Sequence, residues 1–434
     1  MTSTAKNFAG QNLRGMSFKG QDLSGADFSD TDLRGANFTG ATLIGANFSK
    51  AETGVQKRWV AFQLVISFFL SELAGILVAY TGVWVTIFFA PRYIPSSRIA
   101  TGIVMIITLM IIIFAIVQQG FTVKAFGTMT WAFALVAFAF ALSGADPLVV
   151  LFAGAVVALA VVVFSVALAL SEAGSFVAWL GSFLGVLQGA LVGAVAVSWS
   201  GAGSFDFALV GAGVGAVVTV LLSAYTAGRA LKGDPKFDEL LKFIVGFASI
   251  GGTSFCGADL TKANFTKAYL KSSDFRNSRK QSTNLTRIIW NQAKELDRSR
   301  LGTSILANPE VRELLVTGKP NQTQSYEGLN LRGANLDGAY LKEVNFKRAI
   351  LSEASFRSAN LESVNLTETQ TIGTDFTGAQ MTGVCLEGWS YDHTTKLDGV
   401  DCRFVFDLEH PNAKGDRERR PHDPDKDFDQ GEFN

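Results

Sequence analysis

Apolar residues in the first fifty positions recur at every fifth residue: Phe8, Leu13, Phe18, Leu23, Phe28, Leu33, Phe38, Leu43 and Phe48 alternate Phe and Leu without a miss. Small residues stand two places earlier at Ala26, Ala36, Ala41 and Ala46. Asn or Asp stands one place earlier at Asn7, Asn12, Asp22, Asp27, Asp32, Asn37 and Asn47, so the unit reads A(D/N)(L/F)xx. Neither a helix of 3.6 residues per turn nor a strand of period two places every fifth side chain on one face. The spacing therefore predicts a tight solenoid with a turn in each unit. Asn and Asp suit such turns because their side chains bond nearby backbone, and Ala fits a crowded interior.

The alternation returns at Phe255, Leu260, Phe265, Leu270 and Phe275, with Ala258, Ala263 and Ala268 in the small slot and Leu285 still in phase. A third block runs through Leu331, Leu336, Leu341, Phe346, Leu351, Phe356, Leu361 and Leu366, meets polar Thr371, and resumes at Phe376, Met381 and Leu386. Leu397 and Cys402 fit a one-residue slip near its end. Because the first two blocks share the alternation, the second is expected to stack on the coil that ends near Phe48.

Between them lies an apolar region that breaks at turn and charge signals into spans at 59–82, 98–118, 125–143, 148–171, 174–199 and 206–229. Each is about 20 residues, the length a hydrocarbon core requires. Six spans bring both ends out on one side, where Lys57, Arg58, Lys124, Arg229, Lys232 and Lys236 lie, against Arg92 and Arg98 on the other. The positive-inside rule places both repeat regions and both termini in the cytoplasm; a seven-span count would separate them. Gly181, Gly185, Gly189 and Gly193 form a smooth stripe on the fifth span. It reads first as close helix packing and second as a surface that oligomerises or lines a pore. Glu72 is the acidic residue well inside an apolar span, an expensive place for a charge. It reads either as a proton or cation site or as a protonated carboxyl bonded to a neighbouring helix.

After the span at 206–229, Gly233-Asp234-Pro235 marks a turn, and Phe237 to Ile250 reads as an amphipathic helix on the membrane surface. Between the second and third blocks, Asn308, Pro309 and Gly318 stand in the order of a helix cap, a first-turn proline and a terminal glycine.

The five-residue unit resembles the pentapeptide-repeat family, and the segment from Gly388 through Arg420 resembles the terminal region of its cyanobacterial members. In such relatives the chain continues into an amphipathic helical segment beyond the position of Phe433. The resemblance implies a right-handed quadrilateral β-helix with the central Leu/Phe and the Ala inward. With four units to a coil, Phe8, Phe28 and Phe48 stack at the strand spacing of about 4.8 Å. The expected fold class is this solenoid, interrupted by an α-helical transmembrane bundle of about six helices and carrying a small helical insertion. The expected organisation is repeats over 1–54, a transmembrane helical domain over 55–232, an amphipathic linker helix over 233–252 and repeats over 253–285. A helical insertion over 286–328, repeats over 329–404 and a charged, loosely ordered tail over 405–434 complete it.

Formal net charge is zero, with 38 Lys and Arg against 38 Asp and Glu, and outward repeat positions mix both signs. The zero net charge suggests no nucleic-acid partner, and mixed outward charge imitates phosphate poorly, which argues against mimicry of DNA. Cys256, Cys385 and Cys402 have no CxxC spacing and no neighbouring His pair, which argues for reduced thiols and against a zinc site. His393, His410 and His422 all fall in the polar C-terminal segment, and no phosphate loop, nucleophile elbow or dinucleotide fingerprint occurs. No catalytic residue, cofactor or metal site is expected. The leading reading is a non-catalytic, membrane-anchored scaffold that presents a cytoplasmic β-helix to a protein partner, in the plasma or thylakoid membrane if the source is cyanobacterial. The alternative is a small-solute or ion transporter or channel with the β-helix as its regulatory domain.

Overall fold

The computed structural model describes residues 6–66, 68–69, seven helical positions between 107 and 119, and residues 221–222, 224–230, 232–321, 323–429 and 431–432. The chain divides into two units, Met1–Gln56 with Ser249–Asn434, and Lys57–Ala248.

In the first unit the repeats share one plan. Leu23 accepts a hydrogen bond from the N–H of Ala26 at 3.0 Å, closing a turn whose third residue, Gly25, has φ +67°. Such a turn needs a left-handed residue at that corner, which is why glycine recurs there. The Asn or Asp before the core residue holds the turn from outside: Asp27 Oδ1 accepts the Ser29 N–H at 2.9 Å and Asn37 Oδ1 the Thr39 N–H at 3.0 Å. Four such turns close a coil, so Asn7 pairs with Asp27 and Asp27 with Asn47, in parallel register.

The interior follows from the alternation. Phe8, Phe28, Phe48 and Phe265 stack face to face with centroids 4.8–5.0 Å apart, and Trp290 continues the column at 5.1 Å. Phe18, Phe38, Phe255 and Phe275 form the opposite column at 5.0–5.2 Å. The two columns meet edge to face, as at Phe28 and Phe38, 5.5 Å apart, an arrangement that suits the ring quadrupoles.

The second block completes the coil that the first leaves unfinished: Asn37 pairs with Ser254, Thr42 with Asp259 and Asn47 with Asn264. At this seam Thr53, in a Leu position, is buried and bonds Tyr269 O at 2.8 Å and Ser273 Oγ at 2.6 Å. Thr253 bonds Leu33 O at 2.8 Å and accepts from the Gly54 N–H at 2.9 Å. Gly54 and Gly252 sit against the next coil so closely that a Cβ would lie 2.4 Å from Lys271 O and 2.1 Å from Ser272 O, respectively.

Two expectations are corrected here. The ladder does not give way to a helical insertion at 286: Ile289, Lys294 and Arg300 pair with Asn264, Tyr269 and Asp274. An extra turn between Asp274 and Asn284 keeps the phase, and Trp290 and Leu296 replace Phe and Leu inside. The insertion is shorter. Helix α1 (Pro309–Thr317) is capped by Asn308, whose Oδ1 accepts from Glu310 and Val311 N–H at 2.9 and 3.3 Å, and ended by Gly318 at φ +65°. Its buried Val311, Leu314 and Leu315 join the solenoid core.

The third block is a second solenoid from Ser325 to Asp401, with its one-residue shift between Ser390, which pairs with Gln370, and Lys396, which pairs with Asp375. Arg287 bolts the two solenoids together. Its guanidinium donates to the carbonyls of Glu353 at 2.8 Å, Ala354 at 3.3 Å and Gly373 at 2.9 Å.

The charged segment after 405 is likewise no loose tail. Strand β1 (Val384–Cys385) pairs in parallel with β2 (Val405–Phe406), which pairs antiparallel with β3 (Arg419–Arg420). Its arginines order it rather than dissolve it: Arg417 lies 4.1 Å over the Phe406 ring, Arg419 lies 4.5 Å over Phe404, and Arg420 pairs with Asp407. Guanidinium groups on aromatic faces close the end of the second core.

In the other unit, helix α2 (Asp238–Ala248) buries Leu240, Ile244 and Val245. The 3.6-residue period brings Leu240 and Ile244 onto the buried face and leaves Phe243 59% exposed. Residues 57–66 are helical. No helix among the described residues is long and apolar enough to cross a membrane. The six spans, Glu72 and the stripe Gly181, Gly185, Gly189 and Gly193 lie outside the described residues, apart from the ends of the first and last spans and scattered positions of the second.

Candidate interaction surface

The inward residues of the solenoids shape the frame; chemistry is left to the corners and outer faces. In the first block the left-handed corner is glycine at Gly10, Gly15, Gly20, Gly25, Gly35, Gly40 and Gly45, with Asp30 and Lys50 as exceptions. In the second solenoid Gly328, Gly333 and Gly338 give way to six consecutive other residues, Glu343, Arg348, Glu353, Ser358, Ser363 and Glu368, at φ +55° to +63°. Glycine then resumes at Gly373 and Gly378. Each left-handed residue with a Cβ costs about 1 kcal/mol. Six in succession forgo that stability, and what they put in its place is an outward side chain at every corner. The five-residue reading treated this position as free; the run of residues other than glycine in the fifth slot is the signal that could have found it.

Coil to coil, these corners and their neighbours carry paired charge. Arg348 Nε donates to Glu368 Oε2 at 2.6 Å and lies 3.8 Å from Glu327, while Lys342 meets Glu362 at 3.1 Å and Arg332 meets Glu353 at 2.5 Å. Exposed pairs of this kind contribute little stability. At the rim Glu409 accepts from Lys347 and from Asn365 Nδ2, the latter at 2.9 Å, tying the C-terminal segment to the same wall.

The outer face of the first solenoid holds a tighter network. Arg14 and Arg34 both reach Asp32 at 2.5 Å, and Arg34 reaches Glu52 at 3.3 Å. Burial alone would raise the Asp32 carboxyl, but hydrogen bonds from Arg34, Arg14 and the Arg34 backbone bring it down to about 2. A carboxyl depressed on folding contributes stability that is complete above the unfolded value of about 3.9 and is lost as pH falls through the folded value. Melting the chain at pH 5 and at pH 2.5 should therefore show a loss on acidification that Asp32→Asn reduces. An unchanged pH dependence in Asp32→Asn would show that Asp32 is not the group responsible.

Nothing in the described residues assembles a reaction centre. All three cysteines are free; burial pushes Cys402 up to about 12 and raises Cys256, the opposite of an activated thiol. No group of His, Cys, Asp and Glu among the described residues could hold a metal ion. A groove of about 300 Å³ lies where the two solenoids approach, lined by Phe275, Asn277, Ser282, Thr283, Ile305 and Arg332 among others, with hydroxyls and amides predominating.

A family model described as Pentapeptide repeats matches the chain in eight copies, within residues 7–40, 22–52, 246–277, 330–367 and 354–388. Among solved structures, the chain is similar to a pentapeptide repeat protein, Rfr23, from the cyanobacterium Cyanothece 51142, at 21% identity over 31% of this chain and 64% of that one, with a TM-score of 0.15. It therefore spans less than two thirds of that relative. A pentapeptide repeat protein of the Arabidopsis thaliana thylakoid lumen is 27% identical over 22% of this chain and 69% of that one, TM-score 0.15. HetL, a pentapeptide repeat protein involved in heterocyst differentiation regulation from the cyanobacterium Nostoc sp. strain PCC 7120, is 12% identical over 93% and 92%, again with a TM-score of 0.15. No curated protein matches in sequence.

Proposed function

We propose, for a chain that carries pentapeptide repeats, that it is a non-catalytic scaffold: a rigid β-helix that presents its outer wall to a protein partner and is held at a membrane by the apolar region over 55–232. The observation that carries the reading is the run of six left-handed corners from Glu343 to Glu368, each bearing a side chain where glycine would cost less. A solenoid whose inward ladder fixes its shape is free to vary these outward positions. For the membrane, the described helical positions of the second unit leave Phe62, Val65, Phe69, Met110, Phe114 and Leu221 exposed. Together with the length of the apolar segments, this supports contact with lipid. By the distribution of Lys and Arg, both termini face the cytoplasm.

The test separates recognition from folding. In Arg348→Gly, Ser358→Gly, Ser363→Gly and Glu368→Gly combined, four side chains leave while backbone strain of about 1 kcal/mol each is relieved, offset in part by the extra freedom of glycine in the unfolded chain. The variant is expected to melt no lower than the parent and to lose the partner that the parent recovers from native membranes in a mild-detergent pull-down read by mass spectrometry. Retention of the same partner by the fourfold variant would overturn the reading.

A further inference from the structure

We propose that two copies of the chain join head to head through the first coil of the solenoid, about a two-fold axis. The repeat itself dictates what that end presents. In the coil below, Asp27 donates its N–H to Lys6 O at 3.0 Å and accepts the Phe8 N–H at 2.7 Å, so both backbone groups point toward the chain start. Asp32, Asn37 and Thr42 repeat this with Gln11 and Leu13, Met16 and Phe18, Gln21 and Leu23, at 2.8–3.0 Å. The equivalent residues of the first coil, Asn7, Asn12, Ser17 and Asp22, aim the same two groups outward. Among the described residues none of these four N–H groups has a backbone partner. Of their carbonyls only that of Asn7 is touched, by Gln11 Nε2 at 3.4 Å. Beneath them Phe8 and Leu13 are only partly buried, whereas Phe28 and Leu33 one coil down are fully buried, and Met16 is 50% exposed at the rim.

An edge unpaired among the described residues, over the partly buried Phe8 and Leu13, is a site for strand addition. Its pattern selects the partner. In antiparallel pairing, directly opposed residues exchange both an N–H and a C=O, and each of the four residues offers that pair. A second copy turned over by a two-fold axis presents all four strands antiparallel at once. With the axis through the two Phe faces, Phe8 meets Phe8 of the other copy, Phe18 meets Phe18, and Leu13 meets Leu23, so the alternation inside continues across the junction. A head-to-tail stack would instead need a free opposite end, and there the segment over 405–420 covers the second solenoid.

The axis makes a specific forecast. Opposed residues in such a pair stand about 5.5 Å apart between Cα atoms, within the range a disulfide spans. The full chain, purified in mild detergent with Cys256→Ser as background, is expected to show twice the chain mass by light scattering. On oxidation, Asn7→Cys and Ser17→Cys should each form a disulfide dimer alone, while Asn12→Cys should do so only when mixed with Asp22→Cys. A monomeric mass, a dimer in which Ser17→Cys does not crosslink to itself, or self-crosslinking by Asn12→Cys as readily as by Ser17→Cys would each overturn the proposal. The corner partners play no part in this contact, so loss of the dimer leaves the scaffold reading intact.

Discussion

A chain lacking residues 56–252 is expected to fold into the same paired solenoids and to stay in solution after alkaline extraction, whereas the full chain sediments with membranes. The expectation rests on register. Uninterrupted rungs pair residues 20 apart, as Asn7 with Asp27, while at the seam Asn37 pairs with Ser254, 217 away; the excess is 197 residues, the number removed. The joined sequence reads Ala51-Glu52-Thr53-Gly54-Val55-Thr253-Ser254-Phe255, an unbroken repeat with Thr253 in the small slot. Its hydroxyl already behaves as a resident of that slot. It bonds Leu33 O at 2.8 Å as Thr31 bonds Phe8 O at 3.0 Å and Thr374 bonds Leu351 O at 2.8 Å. Circular dichroism and a cooperative melt would register the fold. An aggregated or unfolded product would show that the second unit does more for the solenoid than fill a corner.

Phe255→Ala is expected to destabilise the first unit by about 3–5 kcal/mol, the range for removing a large buried ring from a core that cannot collapse around the hole. Phe255 is fully buried, stacked between Phe38 at 5.2 Å and Phe275 at 5.0 Å and edge-on to Phe48 at 5.6 Å. The coils above and below are each tied to the Phe255 coil by backbone hydrogen bonds that fix their spacing, so they cannot close the gap. Ile372→Ala, beside the Gly373 corner where the side chain is 48% exposed, should stay within about 0.5 kcal/mol. Chemical denaturation of both variants checks this; a cost below about 1 kcal/mol for Phe255→Ala would mean that the Phe column is not continuous across the seam.

The alternation of Phe and Leu carries the inside of the solenoid in the sequence, because a core one residue wide leaves a pattern no other contact can blur. What it does not carry is which rung meets which. The phase of the apolar residues differs between Phe48 and Phe255, since 197 is not a multiple of five, and only the pairing of Asn37 with Ser254 places the second block. Similarly, Leu285 keeps phase across an added turn, while Glu295 and Arg298 hide the rung at Lys294 although Leu296 is buried beside it. The charged C-terminal segment reads as disorder by composition because a hydropathy pattern cannot show an arginine lying over a phenylalanine ring. The corner run was in plain view, yet it becomes informative only once the fifth position is known to require a left-handed backbone.

The seam also sets a timetable. Bringing Asn37 and Ser254 together closes a loop of 217 residues instead of 20, an added entropic barrier of about 2 kcal/mol. On a ribosome adding roughly 5–20 residues per second, the intervening 197 residues take on the order of 10–40 s. Throughout that interval Phe38, Leu43, Phe48 and Thr53 have no coil beneath them. The first block to emerge is thus left unfinished until the second has been made, and nascent molecules wait with a bare edge that neighbours on the same message could capture. Slowing synthesis within the intervening segment should lengthen that exposure, and shortening the segment should protect against it.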